Sequence, residues 1–391
     1  MPWSRRLDNL GANVFAEMDQ AKSEALAAGR DLIDLSLGSS DLPTPAPILE
    51  TIAAALRDPR THGYLLHRGT LPFRETVARW YARRFGSKVD PETEVLALIG
   101  SQEGAAHLPL AILNPGDVAL LLDPGYPSHW GGVRLAGGEI YPLPLTAENQ
   151  FLPDFALIPP QILERAKLLI LSYPHNPTAA VAPEGFFAEA IDFAQRREIV
   201  LIHDFPYVDI VFEPGYSAPS LLAEASNRRG LIEFFTLSKS YNMGGFRVGF
   251  AIGDPFLIGA LRRIKAMVDF NQYEGILRGA MTALDSAEDW VSPTVETYRQ
   301  RRDFLVAALN ELGWATPLPP ATLYLWMPLP SGFPPDSHSF CLDLLRQTGV
   351  ALSPGVGFGA QGEGFARLAL VQEEPRLAEA ARRLGAFLAA D

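Results

Sequence analysis

One lysine separates a hydrophobic run from a glycine-rich patch in the segment FFTLSKSYNMGGFRVGFAIG, residues 234–253. A lysine at a strand end is often only a solvated edge charge. Here, however, Lys239 is followed by several glycines, which let a backbone approach a ligand closely, and then by Arg247. A lysine amine can form a Schiff base with an aldehyde, and an arginine can bind a phosphate through two hydrogen bonds. The segment therefore indicates a ligand that carries both groups.

Other apolar runs of the sequence also end in polar residues. Because ligands bind beyond the carboxyl ends of the strands in an open parallel sheet, we expect these residues to lie together. They are Ser101 at the start of a helix, Tyr126 in DPGYP, Asn176 in HNPT, and Asp204 and Tyr207 in HDFPY. Each also has a structural interpretation, since DPGYP and HNPT are common turns and Asp204 could cap a helix. Their convergence at neighbouring strand ends favours a binding site.

The combination of residue types fits the chemistry of pyridoxal 5'-phosphate bound covalently to a lysine. The lysine amine forms a Schiff base with the aldehyde of this cofactor. A carboxylate keeps the pyridine nitrogen protonated, so that the ring can accept electrons. Asparagine and tyrosine donors stabilise the phenolate oxygen, and an aromatic side chain stacks on the ring. Arginine, hydroxyl groups and a helix N-terminus bind the phosphate.

The segment TLSKSYNMGGFRVG resembles the Ser-x-Ser-Lys…Arg-x-Gly signature of the pyridoxal-phosphate-dependent class I/II aminotransferases of the aspartate aminotransferase fold. The resemblance extends from DLSLGSSDLPTP to GEGFARLALV and is greatest to the LL-diaminopimelate aminotransferase branch. It implies an α/β protein of fold type I. We therefore expect a large domain, with a mostly parallel seven-stranded sheet between helices, and a smaller α+β domain.

The resemblance also implies a cofactor site. Lys239 is expected to be the catalytic lysine, Asp204 the partner of the pyridine nitrogen and Arg247 the phosphate clamp. The other expected cofactor contacts are Ser101, Gln102, Thr236 and Ser238 at the phosphate, Asn176 and Tyr207 at the phenolate oxygen, and Tyr126 on the ring face. No metal is expected.

Substrate and partner contacts follow from the same resemblance. Gly38, Asn176 and Arg367 are expected to bind the substrate, although Arg367 taken alone could be a charge at a strand edge. Tyr64 is expected to reach the phosphate of a neighbouring subunit. The resemblance therefore implies a homodimer with shared active sites.

The order of apolar runs and helical stretches predicts how the chain is divided. Residues 1–44 are expected to form an N-terminal arm and part of the small domain, residues 45–285 the large cofactor-binding domain, and residues 286–391 the small C-terminal domain. The arm is expected to lead into a helix that stops at Gly29. In the last part, SPTVETYRQRRDFLVAALNELG predicts a long amphipathic helix that begins at Ser292-Pro293.

Composition narrows the classes of function. The net charge of −12 argues against a broad nucleic-acid surface, which needs clustered basic residues. The single cysteine, Cys341, allows neither an internal disulfide nor a cysteine-based zinc site, and its helix face predicts a core residue. The sequence shows neither a signal peptide nor a run of about 18 apolar residues. A cytoplasmic protein without membrane contact is expected.

The predicted activity is transfer of an amino group between an L-amino acid and a 2-oxo acid by ping-pong chemistry. Two alternatives remain at this stage, a pyridoxal-phosphate-dependent C–S β-lyase of the same fold and a ligand-binding regulator without catalysis. The substrate is open because the chain departs from the diaminopimelate branch near the expected site. Examples are His67-Arg68-Gly69, Phe205-Pro206 before Tyr207, and Phe270-Asn271.

Overall fold

The computed structural model describes Ser4 and residues 14–389. Apart from Ser4, the expected N-terminal arm lies outside this range. The helix that follows it, α1, spans Val14–Ala27, and the chain leaves it at Gly29, whose φ of 73° suits a glycine. A two-residue strand, β1 (Ile33–Asp34), comes next.

The main sheet contains seven strands among the residues described. They are β2 (Val95–Leu98), β3 (Val118–Asp123), β4 (Glu139–Pro144), β5 (Ala166–Leu171), β6 (Val200–Asp204), β7 (Leu231–Thr236) and β8 (Gly249–Gly253). Their spatial order is β2-β8-β7-β6-β5-β3-β4. Strand β8 pairs antiparallel with both of its neighbours, and the other pairs are parallel. This confirms the predicted mostly parallel, seven-stranded sheet.

Helices cover both faces of this sheet. They are α2 (Ala46–Leu56), α3 (Leu71–Phe85), α4 (Ser101–Ile112), α5 (Pro127–Ala136), α6 (Pro160–Leu163), α7 (Phe186–Arg196), α8 (Leu221–Glu224), α9 (Pro255–Val268) and α10 (Glu274–Asp285). Successive strand residues point to opposite faces. In β3, Leu120 packs in the cluster with α2, α3, α7 and α10, whereas Leu121 packs with α4, α5 and α9. Because both faces are buried, the strands read as continuous apolar runs.

The C-terminal part adds smaller sheets and three long helices. Its elements are α11 (Ala287–Glu311), β9 (Tyr324–Pro328), α12 (Ser337–Thr348), β10 (Val350–Ala351), β11 (Ser353–Pro354), β12 (Phe365–Ala369) and α13 (Glu374–Leu388). Strand β12 lies between β11 and β9 in an antiparallel sheet, and β10 pairs with β1. A hydrophobic cluster joins these elements to α1, and it includes the buried Cys341. The domain boundaries at residues 44 and 285 stay a prediction.

The predicted start of the long C-terminal helix is wrong. The helix begins at Ala287 instead of Ser292, and Pro293 lies inside it. Proline cannot donate a backbone hydrogen bond, but the helix continues through it. Glu288 and Asp289 in the first turn favour the earlier start, since acidic side chains stabilise a helix N-terminus.

No helix within residues 14–389 combines the length and the apolar character needed to cross a membrane.

The aromatic packing behind β7 generates a stability prediction. Phe235 is 1% exposed, and its ring centroid lies 5.0 Å from that of Phe250 and 5.4 Å from that of Trp80. Phe235→Ala should lower the free energy of unfolding by about 3–5 kcal/mol because it leaves a cavity in this cluster. Urea unfolding of the cofactor-free protein measures the change. Phe256→Ala is the control, since Phe256 is 77% exposed and its loss should cost no more than about 0.5 kcal/mol.

Candidate active site

A cavity of about 280 Å³ opens at the carboxyl ends of the parallel strands. Every predicted site residue except Tyr64 lines it, together with several residues that were not predicted. The predicted ones are Gly38, Ser101, Gln102, Tyr126, Asn176, Asp204, Tyr207, Thr236, Ser238, Lys239, Arg247 and Arg367. They come together because β2, β3, β5, β6 and β7 all end at the same edge of the sheet.

Asp204, the last residue of β6, is a buried carboxylate with only one oxygen satisfied. Its Oδ2 lies 2.9 Å from Nε2 of His129, a buried residue of α5. Its Oδ1 is buried and has no hydrogen-bond partner among the described residues. An unpaired buried carboxylate oxygen is costly. The free oxygen can therefore accept a hydrogen bond from a ligand, such as a protonated ring nitrogen.

Arg367 lies on β12 and reaches across to the main sheet. Its Nη1 donates to Asn176 Oδ1 at 2.8 Å, and its Nη2 donates to the Ser36 carbonyl at 2.7 Å. Its Nε is buried without a partner in the described chain. Since Arg367 is 6% exposed, it is not the solvated edge charge that the sequence left open. The guanidinium lines the cavity and has further N–H donors for an anionic ligand.

Tyr324 is a cavity residue that the sequence did not single out. It is the first residue of β9, and it lies in the apolar run TLYLWMPL, which is typical of a core strand. Its hydroxyl accepts a hydrogen bond of 2.9 Å from Tyr207. The guanidinium carbon of Arg367 lies 4.1 Å from the centroid of its ring. Only the tertiary contacts between β9 and β12 reveal its position in the site.

The pKa values of Tyr207 and Tyr324 are shifted in opposite directions by burial and by neighbouring charges. Burial raises the pKa of Tyr207 well above its ordinary value, and the neighbouring Tyr324 adds to the rise. Burial also raises the pKa of Tyr324, but the positive charges of Arg367 and Lys239 outweigh it and lower that pKa overall. Tyr207 therefore holds its hydroxyl proton more tightly than Tyr324 does, and Tyr324 is the hydrogen-bond acceptor of the pair.

Lys239 follows the end of β7, and its ammonium donates to the carbonyl of Gly38. Its Nζ is 5.8 Å from the centroid of the Tyr207 ring. Gly38 must be glycine for steric reasons, because a Cβ there would lie 1.8 Å from the Tyr324 hydroxyl. The lysine, the glycine and the two tyrosines thus form one packed unit.

A second end of the cavity is suited to a phosphate. Helix α4 begins at Ser101, and its first backbone N–H groups are free to bind an anion. The hydroxyls of Thr236 and Ser238 lie 2.8 Å apart at the neighbouring strand end. The Arg247 guanidinium packs so closely on Gly100 that a Cβ there would lie 2.6 Å from its Nη2. These donors match the predicted phosphate ligands.

Tyr64 lies outside the cavity of its own chain. It is 93% exposed, and its ring centroid is 6.0 Å from that of Phe270. The predicted contact of Tyr64 is with a neighbouring subunit, and it stays a prediction.

Comparison with known proteins identifies the family. Residues 30–384 match the family model for aminotransferase class I and II. An LL-diaminopimelate aminotransferase of Desulforudis audaxviator is 45% identical over 381 residues, which cover 97% of this chain and 96% of that protein. The chain therefore belongs to the class I and II aminotransferases, and it is a pyridoxal-phosphate-dependent enzyme.

Solved structures agree with this family and its fold. A probable N-succinyldiaminopimelate aminotransferase from Thermus thermophilus is 46% identical, with a TM-score of 0.89 over 95% of this chain and 99% of that chain. A Thermus thermophilus aspartate aminotransferase single mutant is 27% identical, with a TM-score of 0.90 over 99% of each chain. The predictions of fold type I and of an aminotransferase are confirmed.

The tight packing of Gly38 on Tyr324 generates a second prediction. Gly38→Ala should lower kcat/KM for transamination by about 10- to 100-fold, since the added methyl group displaces Tyr324 and, with it, Tyr207 and Arg367. Steady-state kinetics of the cofactor-loaded enzyme measure the loss. Gly245→Ala is the matched control, because a Cβ at Gly245 meets no atom within 4 Å. Equal effects of the two substitutions would contradict the steric argument.

Proposed function

We propose that this enzyme transfers an amino group from LL-diaminopimelate, or from a closely related amino acid, to a 2-oxo acid. The proposal rests on the 45% sequence identity, over 97% of this chain, to an LL-diaminopimelate aminotransferase, together with a cavity that is lined by the expected residues. N-succinyldiaminopimelate, named for the Thermus thermophilus protein, is the alternative within the same substrate class.

The cavity residues fit pyridoxal 5'-phosphate. Asp204 Oδ1 would accept the proton of the ring nitrogen. Asn176 would donate to the phenolate oxygen through Nδ2, and Tyr207 would donate to it in place of its bond to Tyr324. Tyr126 would stack on the ring. The phosphate would be held by Ser101, Gln102, Thr236, Ser238 and Arg247. When bound, the cofactor supplies an aldehyde that exchanges with amines and a ring that accepts electrons.

The chain's own residues then hold the substrate and move its proton. The guanidinium of Arg367 binds the α-carboxylate, and Asn176 and Ser36 hold it in place. Held in this way, the α-carbon has one position relative to Lys239. The Nζ of Lys239 removes the α-proton as a general base and later returns a proton as a general acid. His129 keeps Asp204 oriented through its hydrogen bond.

The far end of the substrate requires groups beyond those already assigned. The charged side chains that line the described cavity are Asp204, Lys239, Arg247 and Arg367, and each has a role at the cofactor or at the α-carboxylate. Diaminopimelate carries a second ammonium and a second carboxylate. We propose that a second copy of the chain completes the site, and that Tyr64 reaches the cofactor phosphate of that copy.

An absorbance experiment tests the proposed reaction. The cofactor-loaded enzyme is mixed with LL-diaminopimelate, N-succinyldiaminopimelate, aspartate or alanine, and 2-oxoglutarate is then added. We expect the diaminopimelate class to convert the yellow cofactor to its amine form and the 2-oxo acid to restore it. Release of pyruvate and ammonia without a 2-oxo acid would indicate a β-lyase instead. Lack of cofactor binding would contradict the proposal.

Substitution of the catalytic lysine gives a third prediction. Lys239→Ala should abolish turnover, because Lys239 is the one lysine in the described lining of the cavity, while the cofactor still binds without a covalent bond. Turnover is measured with the active donor, and cofactor retention by absorbance after gel filtration. Lys88→Ala, which removes an exposed lysine, is the control and should be fully active. Full activity of Lys239→Ala would refute the assignment.

A mixing experiment provides a fourth prediction, for the shared site. Tyr64→Ala and Lys239→Ala chains are each impaired alone. If Tyr64 acts across the dimer, a hybrid has one intact site, and random pairing should restore about one quarter of wild-type activity. The chains are unfolded together in urea, refolded with cofactor and assayed, with each variant refolded alone as the control. No gain on mixing would show that Tyr64 does not act on the partner's site.

A further inference from the structure

A buried glutamate lies beside the proposed phosphate site. Glu103 is in the first turn of α4, two residues after Ser101, and its side chain is 1% exposed. Its Oε2 accepts a hydrogen bond of 2.7 Å from the backbone N–H of Ile99. This bond fixes the chain just before the turn whose N–H groups face the cavity. A bare carboxylate here would, however, repel a bound phosphate.

Lys265 of α9 neutralises this carboxylate. Its Nζ lies 3.0 Å from both carboxylate oxygens of Glu103, and 2.6 Å from Oδ1 of Asp269. The Lys265 side chain is 3% exposed. Burial raises the pKa of Glu103, and the charge of Lys265 opposes the rise. The three side chains form an ion cluster whose charges depend on one another.

The same cluster does not offer a free metal site. Glu103, His107 and Asp269 place ligand atoms within 4.8 Å of one another. The Lys265 ammonium already bonds to both carboxylates and supplies the positive charge there. The cluster is therefore a lysine-centred ion pair network.

The residues after Asp269 extend the network to two other parts of the phosphate site. Gln272 Nε2 donates to the carbonyls of Phe246 and Arg247. Asn271 Nδ2 donates to the carbonyl of Leu65 at 2.9 Å. The Glu103–Lys265–Asp269 cluster is thus connected to three backbone segments, which lie next to Ser101, at Arg247 and next to Tyr64.

We infer that Lys265 is a positioning residue for the cofactor phosphate, holding the α4 turn, Arg247 and the Tyr64 segment in one arrangement. The inference rests on the proposed cofactor site. Lys265 does not contact the phosphate itself. It acts by holding both carboxylate oxygens of Glu103, and by anchoring the segment that begins at Asp269.

Comparison of two ligands tests this inference as a fifth prediction. Dissociation constants of pyridoxal 5'-phosphate and of pyridoxal, which lacks the phosphate, are measured on the cofactor-free protein by tryptophan fluorescence. Lys265→Met should weaken binding of the phosphorylated ligand by at least about tenfold, because its phosphate donors are misplaced. Binding of pyridoxal should change by less than about threefold, since the contacts to the ring are intact. Lys265→Arg should recover part of the loss.

Two further variants separate positioning from stability. Glu103→Gln removes the charge at nearly constant volume and should act in the same direction, so it serves if Lys265→Met does not fold. Arg228→Met breaks another partly buried pair, to Glu94 at 3.0 Å, and should leave the ratio of the two dissociation constants unchanged.

The outcomes distinguish the inference from the proposed function. If Lys265→Met weakens both ligands equally, or neither, the positioning role is overturned while the cofactor site stands. If the wild-type protein binds both ligands equally, the phosphate site itself is refuted, and the inference fails with it.

Discussion

The site depends on a buried carboxylate that the protein alone does not satisfy. Asp204 lies at the end of a central parallel strand, is buried and lines the cavity. His129 bonds to one of its oxygens, and the other has no donor in the described chain. Such an arrangement is costly in the free protein and favourable once a protonated ring nitrogen is bound. The arrangement of the surrounding residues is explained by their role in positioning that ring.

Arg367 is a second buried charged residue of the site, and it connects the C-terminal elements to the main sheet. Two of its nitrogens are used internally, one on Asn176 and one on Ser36, and the third is free. The guanidinium therefore cannot rotate toward a ligand. It presents its remaining N–H donors in a fixed direction, with the Tyr324 and Phe358 rings against its faces. A pre-positioned arginine loses little conformational entropy on binding a carboxylate.

The sequence predicts the parts of this site that depend on chain direction and local motif. Lys239 and Arg247 are recognisable from their spacing, and Asp204 from its place after an apolar run. The sheet collects them because its parallel strands share an edge. Tyr324 and His129 were not predicted, because a strand residue and a helix residue enter the site only through packing between distant segments. The start of α11 was missed since proline usually marks a first turn, whereas here the acidic residues before it extend the helix.

The distribution of charged side chains in the cavity explains why the reaction can be predicted from the sequence more closely than the substrate can. The cofactor and the α-carboxylate are common to every amino acid substrate, and the charged side chains lining the cavity serve them. What distinguishes one amino acid from another is its far end, and the described lining of the cavity holds no further charged side chain to bind it. Tyr64 is exposed on its own chain, so a second chain is the natural source of further contacts. In the proposed dimer, substrate selection therefore depends on both chains, whereas the proposed proton transfer depends on the residues of one chain.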